Sequence, residues 1–200
     1  MKIVGLTGSI GMGKSTVAAM FEKLGAATWN ADDAVHRLYA RGGAAIGPMK
    51  EMFPDAVIDG AVDRDRLGAL VFNDREALGK LEAIVHPLVA EDRIEFIESA
   101  KAQGAALAVM DIPLLFETGQ QDAFDAVVVV SAREDVQRAR VLERPGMTQA
   151  KLDAILERQM PDSEKRRRAD YVIPTDVSMA ETLAAVKTVR DQLLERESSI

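Results

Sequence analysis

The sequence contains no cysteine, and its 200 residues include one tryptophan, two tyrosines and two histidines. Without cysteine the chain cannot form disulfides, which fits a reducing compartment and predicts a cytoplasmic protein. With two histidines and no cysteine, we also expect no zinc site. The N-terminus carries a very short apolar run before Thr7, far below the roughly 20 residues of a membrane span. We therefore expect no membrane partner.

The chain also lacks the basic balance of a general nucleic-acid-binding protein. Its net charge is −7, so we expect no nucleic-acid partner. The charge is uneven, because residues 133–168 carry ten Lys/Arg and seven Asp/Glu, a local +3 that leaves −10 for the rest. A basic segment in an acidic chain indicates a negatively charged partner such as phosphate. A solvated basic helix face is the alternative explanation.

Apolar runs that alternate with helical patterns predict the fold class. The predicted strands are Lys2–Thr7, Ala27–Asn30, Ala105–Asp111, Asp125–Ser131 and Tyr171–Pro174. Strands separated by helices form parallel sheets covered on both faces. We therefore expect an α/β fold with a parallel sheet of about five strands flanked by helices. Ser178 with Glu181 predicts a capping box at the start of the final helix.

The segment Gly8-Ser9-Ile10-Gly11-Met12-Gly13-Lys14-Ser15 matches the P-loop pattern G-x-x-x-x-G-K-[ST] at every fixed position. It follows a predicted strand and opens a predicted helix, which is the context that the motif requires. In such a loop the backbone amides surround phosphates, the lysine reaches the β- and γ-phosphates, and the hydroxyl binds Mg²⁺. We predict ATP and Mg²⁺ as ligands, with Lys14 catalytic and Ser15 on the metal. The predicted ATP-binding residues are Gly11, Met12, Gly13, Lys14, Ser15 and Thr16.

The surroundings of the P-loop favour a small-molecule kinase. The sequence lacks the guanine-reading N-K-x-D pattern of a GTPase. We predict a nucleotide-binding core of residues 1–30, 104–132 and 169–200, interrupted by a helical substrate-binding insert at 31–103. Residues 133–168, rich in arginine, are predicted to form a lid that closes over the phosphates. A nucleotide-binding module without catalytic activity is the alternative from another class.

Five segments resemble dephospho-coenzyme A kinase in identity, order and spacing. They are GLTGSIGMGKST at residues 5–16, Asn30-Ala31-Asp32, His86-Pro87, Pro113-Leu114-Leu115-Phe116-Glu117 and Ala169-Asp170. The resemblance extends along nearly the whole chain. It implies transfer of the ATP γ-phosphoryl group to the ribose 3′-hydroxyl of dephospho-CoA, the last step of coenzyme A synthesis. Another P-loop kinase, acting on a nucleoside or nucleotide, is the alternative.

The resemblance also implies roles for residues outside the P-loop. Asp32 corresponds to the base for the acceptor hydroxyl, although an acidic residue there also suits a helix N-cap. Arg140 corresponds to a catalytic lid arginine that meets the transferring phosphate, and Arg144 to a further ATP contact. Surface ion pairs are the alternative for both arginines. The joint presence of Lys14, Ser15, Asp32 and Arg140 argues against an inactive module.

Substrate contacts are implied at Asp32, His86, Leu115 and Glu117. His86 precedes Pro87, which suits the first turn of a helix, so placing that helix is its alternative role. Leu115 equally suits a core position. Asp111 ends a predicted strand and is a candidate Mg²⁺ ligand, directly or through water, or a cap of the following turn.

Three further expectations concern assembly and departures from the family pattern. Lys165–Arg168 is interpreted as a solvated helix end. For the assembly, we expect a monomer or a weak homo-oligomer. Asn30 stands where the family usually has an aspartate, while Asp32 is retained. After the last strand, Ile173-Pro174-Thr175-Asp176 replaces an Asn- and Gly-containing turn near the adenine, which predicts looser purine selectivity.

Overall fold

The structure, a computed structural model, describes residues 1–72 and 74–195, and the chain forms two compact units. Unit 1 contains residues 1–29 and the chain from residue 100 onward, and unit 2 contains Asn30–Ser99. Among the helices of these described ranges, none has the length and apolar character that a membrane crossing requires.

Strands and helices alternate along the chain. The strands are β1 Lys2–Thr7, β2 Ala27–Asn30, β3 Val57–Ile58, β4 Ala61–Val62, β5 Leu107–Asp111, β6 Ala126–Ser131 and β7 Tyr171–Pro174. The helices are α1 Lys14–Lys23, α2 Ala31–Tyr39, α3 Ile46–Met52, α4 Arg64–Val71, α5 Arg75–Ala102, α6 Glu134–Leu142, α7 Gln149–Arg158, α8 Asp162–Arg168 and α9 Met179–Glu195. Short 3₁₀ turns lie at Pro54–Ala56 and Gln121–Ala123.

The main sheet has five strands in the order β2-β5-β1-β6-β7. β1 pairs in parallel with β5 and with β6, and β6 pairs in parallel with β7. Leu6 of β1 lies opposite Asp111 on one side and Val128 on the other. The predicted parallel sheet of five strands is confirmed, and its order places β1, which precedes the P-loop, at the centre.

The core of unit 1 forms because the central strands are apolar and helices cover them. Every side chain of β5 and β6 is buried. Val17 and Phe21 of α1 and Val186 of α9 join Val4 of β1 in one apolar cluster. Fully burying a side chain of this size contributes about 1.5–3 kcal/mol relative to leaving it exposed. In such parallel sheets the loops after the strands gather at the carboxyl edge, and this edge carries the P-loop.

Unit 2 is not helical throughout, because β3 and β4 form an antiparallel hairpin. Its turn residues, Asp59 and Gly60, both have positive φ, 49° and 80°. A two-residue turn with positive φ at both positions matches the twist of the two strands that it joins. Asp-Gly is a preferred sequence for this turn. The segment that the sequence analysis expected to be a helical insert, residues 31–103, therefore also contains a short hairpin.

Helix α5 runs through Pro87 without interruption. The prediction that Pro87 opens a helix was therefore wrong. A proline inside a helix removes one backbone hydrogen bond and crowds the carbonyl four residues earlier, at a cost of about 3 kcal/mol. Packing of one helix face offsets this cost. The residues of α5 that pack on the apolar cluster of unit 2 include Leu81, Ile84, Val85, Leu88 and Val89.

Candidate functional site

The loop between β1 and α1 has the backbone of a phosphate cradle. Gly11 and Gly13 have φ of 78° and 86°, values that other residues rarely adopt. A Cβ at Gly11 would also lie 2.4 Å from Val141 Cγ2, so packing excludes a side chain there. Gly13 is the N-cap of α1 and has no side chain to occupy the first amides of that helix. These amides and the positive end of the helix dipole can therefore bind an anion.

Three side chains from distant parts of unit 1 bond the backbone of this loop. Gln137 Nε2 donates to the Ile10 carbonyl at 2.7 Å, and the Ile10 N–H donates to Gln159 Oε1 at 3.1 Å. Thr175 Oγ1 donates to the Met12 carbonyl at 2.7 Å. Sequence reasoning missed Gln137 and Gln159, because no local pattern marks a glutamine whose partner lies more than a hundred residues away.

Lys14 and Asp111, both predicted site residues, are in direct contact. Lys14 begins α1 and Asp111 ends β5, the strand beside β1. The Lys14 ammonium donates to Asp111 Oδ1, and the two side chains are 14% and 3% exposed. A buried carboxylate needs a partner of this kind, because an unpaired charge in the interior is costly. The contact fixes the Lys14 ammonium beside the P-loop.

Oxygen donors for a divalent cation are present at Ser15 and Asp111. Ser15 is exposed in the first turn of α1. Across residues 1–72 and 74–195, no group of three or more His, Asp or Glu side chains could hold a metal. The Ser15 hydroxyl and the Asp111 carboxylate fit Mg²⁺, which usually keeps several waters and takes one or two protein oxygens together with phosphate oxygens. The residues present therefore suit a cation that binds together with a nucleotide.

Arg140 lies in the last turn of α6, and its guanidinium contacts the segment after β7. Its Nη2 donates to the Thr175 carbonyl at 2.6 Å and its Nη1 to Thr175 Oγ1 at 3.1 Å. Because Thr175 itself bonds the P-loop, one residue links Arg140 to the phosphate cradle. Arg138 of the same helix forms ion pairs with Glu134 and Asp153. Hydrogen bonds from Gln149 and Arg138 hold the pKa of Asp153 below its usual value.

The predicted lid, residues 133–168, contains α6, α7 and α8. All three helices are anchored to the rest of unit 1, because Val141 of α6 and Leu152 of α7 are fully buried and Ser131 Oγ donates to Asp162 Oδ2 of α8 at 2.7 Å. Arg144 is exposed in the segment between α6 and α7. A cavity of about 430 Å³ adjoins the P-loop on this side. Residues that line it include Ser9, Gln137, Leu156, Gln159, Asp162 and Arg166.

Glu117 and Lys165 form a buried ion pair that the sequence did not predict. Lys165 Nζ lies 2.8 Å from Glu117 Oε1, although it is not aligned as a hydrogen bond, and its side chain is 0% exposed. The same Oε1 accepts a hydrogen bond of 2.8 Å from the Met160 N–H. The interpretation of Lys165–Arg168 as a solvated helix end is therefore wrong at its first residue. Glu117 neutralises that lysine inside the unit.

Leu115 is fully buried. It packs so closely on β1 that a Cβ at Gly5 would lie 2.5 Å from its Cδ1. A side chain enclosed in this way has no surface to offer a ligand. The prediction that Leu115 contacts the substrate is corrected, and the residue belongs to the core.

Two predicted site residues belong to unit 2, and both are exposed. Asp32 lies in the first turn of α2, and His86 lies on α5. The N-cap of α2 is Asn30, whose Oδ1 accepts a hydrogen bond of 3.0 Å from the Asp33 N–H. This excludes the alternative in which Asp32 caps the helix. The Asp32 carboxylate is therefore available for another role.

Comparison with known proteins agrees with this geometry. The sequence model of the family described as dephospho-CoA kinase (CoaE) matches residues 2–181. A dephospho-CoA kinase from Mesorhizobium japonicum is 50% identical over 199 residues, covering 100% of both chains. The family match therefore spans both units of the structure.

Solved structures share the fold. The crystal structure of TT1252 from Thermus thermophilus is 38% identical with a TM-score of 0.81, covering 96% of this chain and 97% of that one. A dephospho-CoA kinase from Campylobacter jejuni is 23% identical with a TM-score of 0.65, at the same coverage of 96% and 97%. The predicted P-loop kinase architecture is confirmed. Because the family model and the full-length relative cover nearly all of its residues, the chain belongs to the dephospho-CoA kinase family.

Proposed function

We propose that the protein transfers the γ-phosphoryl group of ATP to the ribose 3′-hydroxyl of dephospho-CoA, giving coenzyme A and ADP. The observation that carries this proposal is the 50% identity to a dephospho-CoA kinase over 199 residues. Because the match covers 100% of this chain, it includes both the phosphate cradle of unit 1 and Asp32 of unit 2. A match confined to the P-loop would have supported nucleotide binding alone.

In the proposed reaction the 3′-oxygen attacks the γ-phosphorus. The bond between that phosphorus and the β–γ bridging oxygen breaks, and ADP leaves. The Asp32 carboxylate accepts the proton of the 3′-hydroxyl. Its exposure in the first turn of α2, with capping left to Asn30, supports this role. General base catalysis of this kind contributes on the order of 10²–10⁴-fold.

Unit 1 supplies the positive groups that phosphoryl transfer needs. We propose that Lys14 and the amides of Gly11 to Thr16 bind the phosphates. The contact with Asp111 supports this role, because it fixes the ammonium before the nucleotide arrives and so avoids reorganisation during the reaction. Mg²⁺ would be held by Ser15 and, directly or through water, by Asp111. When bound, it neutralises charge on the phosphates.

The arginines of residues 133–168 complete the proposed site. A guanidinium has five N–H donors, and Arg140 uses two of them on Thr175, so others can reach a phosphate oxygen. We propose that lid closure is centred on residues 143–148 with Arg144, because this segment connects α6 to α7 and all three helices of the predicted lid are anchored. His86 is proposed to contact the substrate. Glu117 is proposed to fix the start of α8 through Lys165 and Met160 instead of binding the substrate.

An ADP-release assay with a panel of acceptors tests the proposal. The panel contains dephospho-CoA, adenosine, AMP and gluconate, and we expect dephospho-CoA to be strongly preferred. Phosphorus–proton correlation in the product should place the new phosphate at C3′ of the ribose. Preference for adenosine or AMP would reassign the chain to a nucleoside or nucleotide kinase. ADP release that needs no acceptor would indicate an ATPase.

A further inference from the structure

Two buried side chains outside the P-loop bond alternate carbonyls of the loop. Gln137 Nε2 donates to the Ile10 carbonyl and Thr175 Oγ1 donates to the Met12 carbonyl, both at 2.7 Å. Gln137 and Thr175 are 4% and 7% exposed, so bulk water hardly competes for these bonds. A carbonyl can only accept, which requires the glutamine to present its NH₂ group and the threonine its hydroxyl hydrogen.

The direction of each carbonyl fixes the direction of the next amide. In a planar trans peptide the C=O and the following N–H point in opposite directions. The bond to Gln137 therefore turns the Gly11 N–H away from α6, and the bond to Thr175 turns the Gly13 N–H away from Thr175. A Cβ at Gly11 would meet Val141, and one at Gly13 would meet Thr175 Oγ1 at 3.2 Å. Both amides thus face away from the packed side of the loop.

We propose that Gln137 and Thr175 are positioning residues that aim the Gly11 and Gly13 amides at the phosphates of ATP. This inference rests on the ATP-binding part of the proposed function. It names two residues that orient the backbone amides which bind the phosphates. Donors fixed in advance bind an anion without the cost of ordering the loop. Arg140 bonds Thr175 from α6, so the Gly13 amide is coupled to the arginine through a single hydroxyl.

Nucleotide titrations with matched variants test the proposal. Thr175→Val and Gln137→Met remove the donors with little change in shape, and Thr175→Ser keeps the hydroxyl. Thr182→Val is the control, because Thr182 is a buried threonine (2% exposed) whose hydroxyl donates to the Pro174 carbonyl beside Thr175. The dissociation constants of ADP and of inorganic tripolyphosphate are measured by calorimetry without any acceptor.

Thr175→Val and Gln137→Met should each weaken both ligands about tenfold, the usual effect of losing a buried hydrogen-bond donor. Thr175→Ser and Thr182→Val should stay within about twofold of the parent protein. In amide NMR spectra, ADP should shift the Gly11 resonance less in Gln137→Met and the Gly13 resonance less in Thr175→Val. This residue-by-residue pattern is one that a general loss of packing does not produce.

Two outcomes would overturn the proposal. If Thr175→Val weakens ADP but leaves tripolyphosphate unchanged, Thr175 acts on the base and not on the phosphate amides. If Thr182→Val weakens both ligands as much as Thr175→Val, the effect is one of packing. Should Gln137→Met fail to fold, the Thr175→Val and Thr175→Ser pair still decides the question. A wrong acceptor assignment leaves all of these titrations unaffected, because they contain no acceptor.

Discussion

The two units present their functional side chains in opposite ways. In unit 1, Lys14 is bonded to Asp111 and Arg140 to Thr175, so each cation already has a partner inside the unit. In unit 2, Asp32 and His86 are exposed on helix surfaces. Under the proposed function, unit 1 is organised for phosphates before they arrive, whereas unit 2 offers groups whose partner would be the substrate. Substitution of Lys14 should therefore change stability and activity together, and substitutions at Asp32 should change activity alone.

The largest effect is expected for Lys14→Ala. Turnover should fall on the order of 10³-fold or more, because the charge that develops on the phosphates loses its fixed cation. The melting temperature should also fall, because Asp111, 3% exposed, loses its ion pair with the Lys14 ammonium. ADP-release rates and thermal unfolding measure the two effects. Lys23→Ala, at an exposed position of the same helix, is the control, and near-normal turnover in Lys14→Ala would show that the P-loop interpretation is wrong.

Asp32→Asn should separate activity from stability. We expect kcat to fall by about 10²–10⁴-fold, because the amide cannot accept the proton of the acceptor hydroxyl. Affinity for dephospho-CoA and the melting temperature should hardly change, because Asn30 caps the helix and Asp32 is exposed. Asp33→Asn, in the same turn, is the matched control. An unchanged kcat in Asp32→Asn would remove Asp32 from the catalytic role.

Arg140→Ala should lower kcat by about 10²-fold while the dissociation constant of ATP changes less. A lid arginine acts chiefly on the transferring phosphoryl group, and the best-studied examples contribute 10³–10⁵-fold. Hydrogen exchange should show residues 143–148 gaining more protection with ATP plus dephospho-CoA than with ATP alone. Arg138→Ala, which breaks ion pairs on the same helix, provides the control. Equal protection with and without ligands would contradict lid closure.

Lys165→Met should affect stability more than catalysis. Removing one partner of a buried ion pair typically costs about 3–5 kcal/mol, because the Glu117 carboxylate is left without its cation. Chemical unfolding should show this loss, and Glu117→Gln combined with Lys165→Met should cost less than the sum of the single changes. Arg167→Met, at a side chain that is 70% exposed, is the control. Additive effects would mean that Glu117 and Lys165 do not interact.

The parts of the structure predicted from sequence are those with local signals. Apolar runs identified the strands of the sheet, and every side chain of β5 and β6 is buried, so both strands are covered on both faces. The capping box was also confirmed, because Ser178 N–H donates to Glu181 Oε2 at 2.9 Å and Glu181 N–H donates to Ser178 Oγ at 3.2 Å. Such partners lie within a few residues, so a short window of sequence contains both.

The parts that were missed depend on partners far apart in the chain. Gln137 and Ile10 are 127 residues apart, and nothing local marks either one. Lys165 belongs to a run of four basic residues, which suggests a solvated surface, and its burial follows only from the place where Glu117 lies. The Asp59-Gly60 hairpin is a different case, because its turn signal is local and was overlooked among helical patterns.

The smallest effect is expected at Asn30, the position where the chain departs from the family's usual aspartate. Asn30→Asp should change the free energy of unfolding by only a few tenths of a kcal/mol, because aspartate and asparagine are equally good N-caps. Asn30→Ala should cost about 1 kcal/mol, since the Asp33 N–H loses its acceptor. Chemical unfolding distinguishes the two, and kcat should be retained in Asn30→Asp because the base in our proposal is Asp32. A large loss of kcat in Asn30→Asp would show that residue 30 tunes the base, and the division between a structural Asn30 and a catalytic Asp32 would then fail.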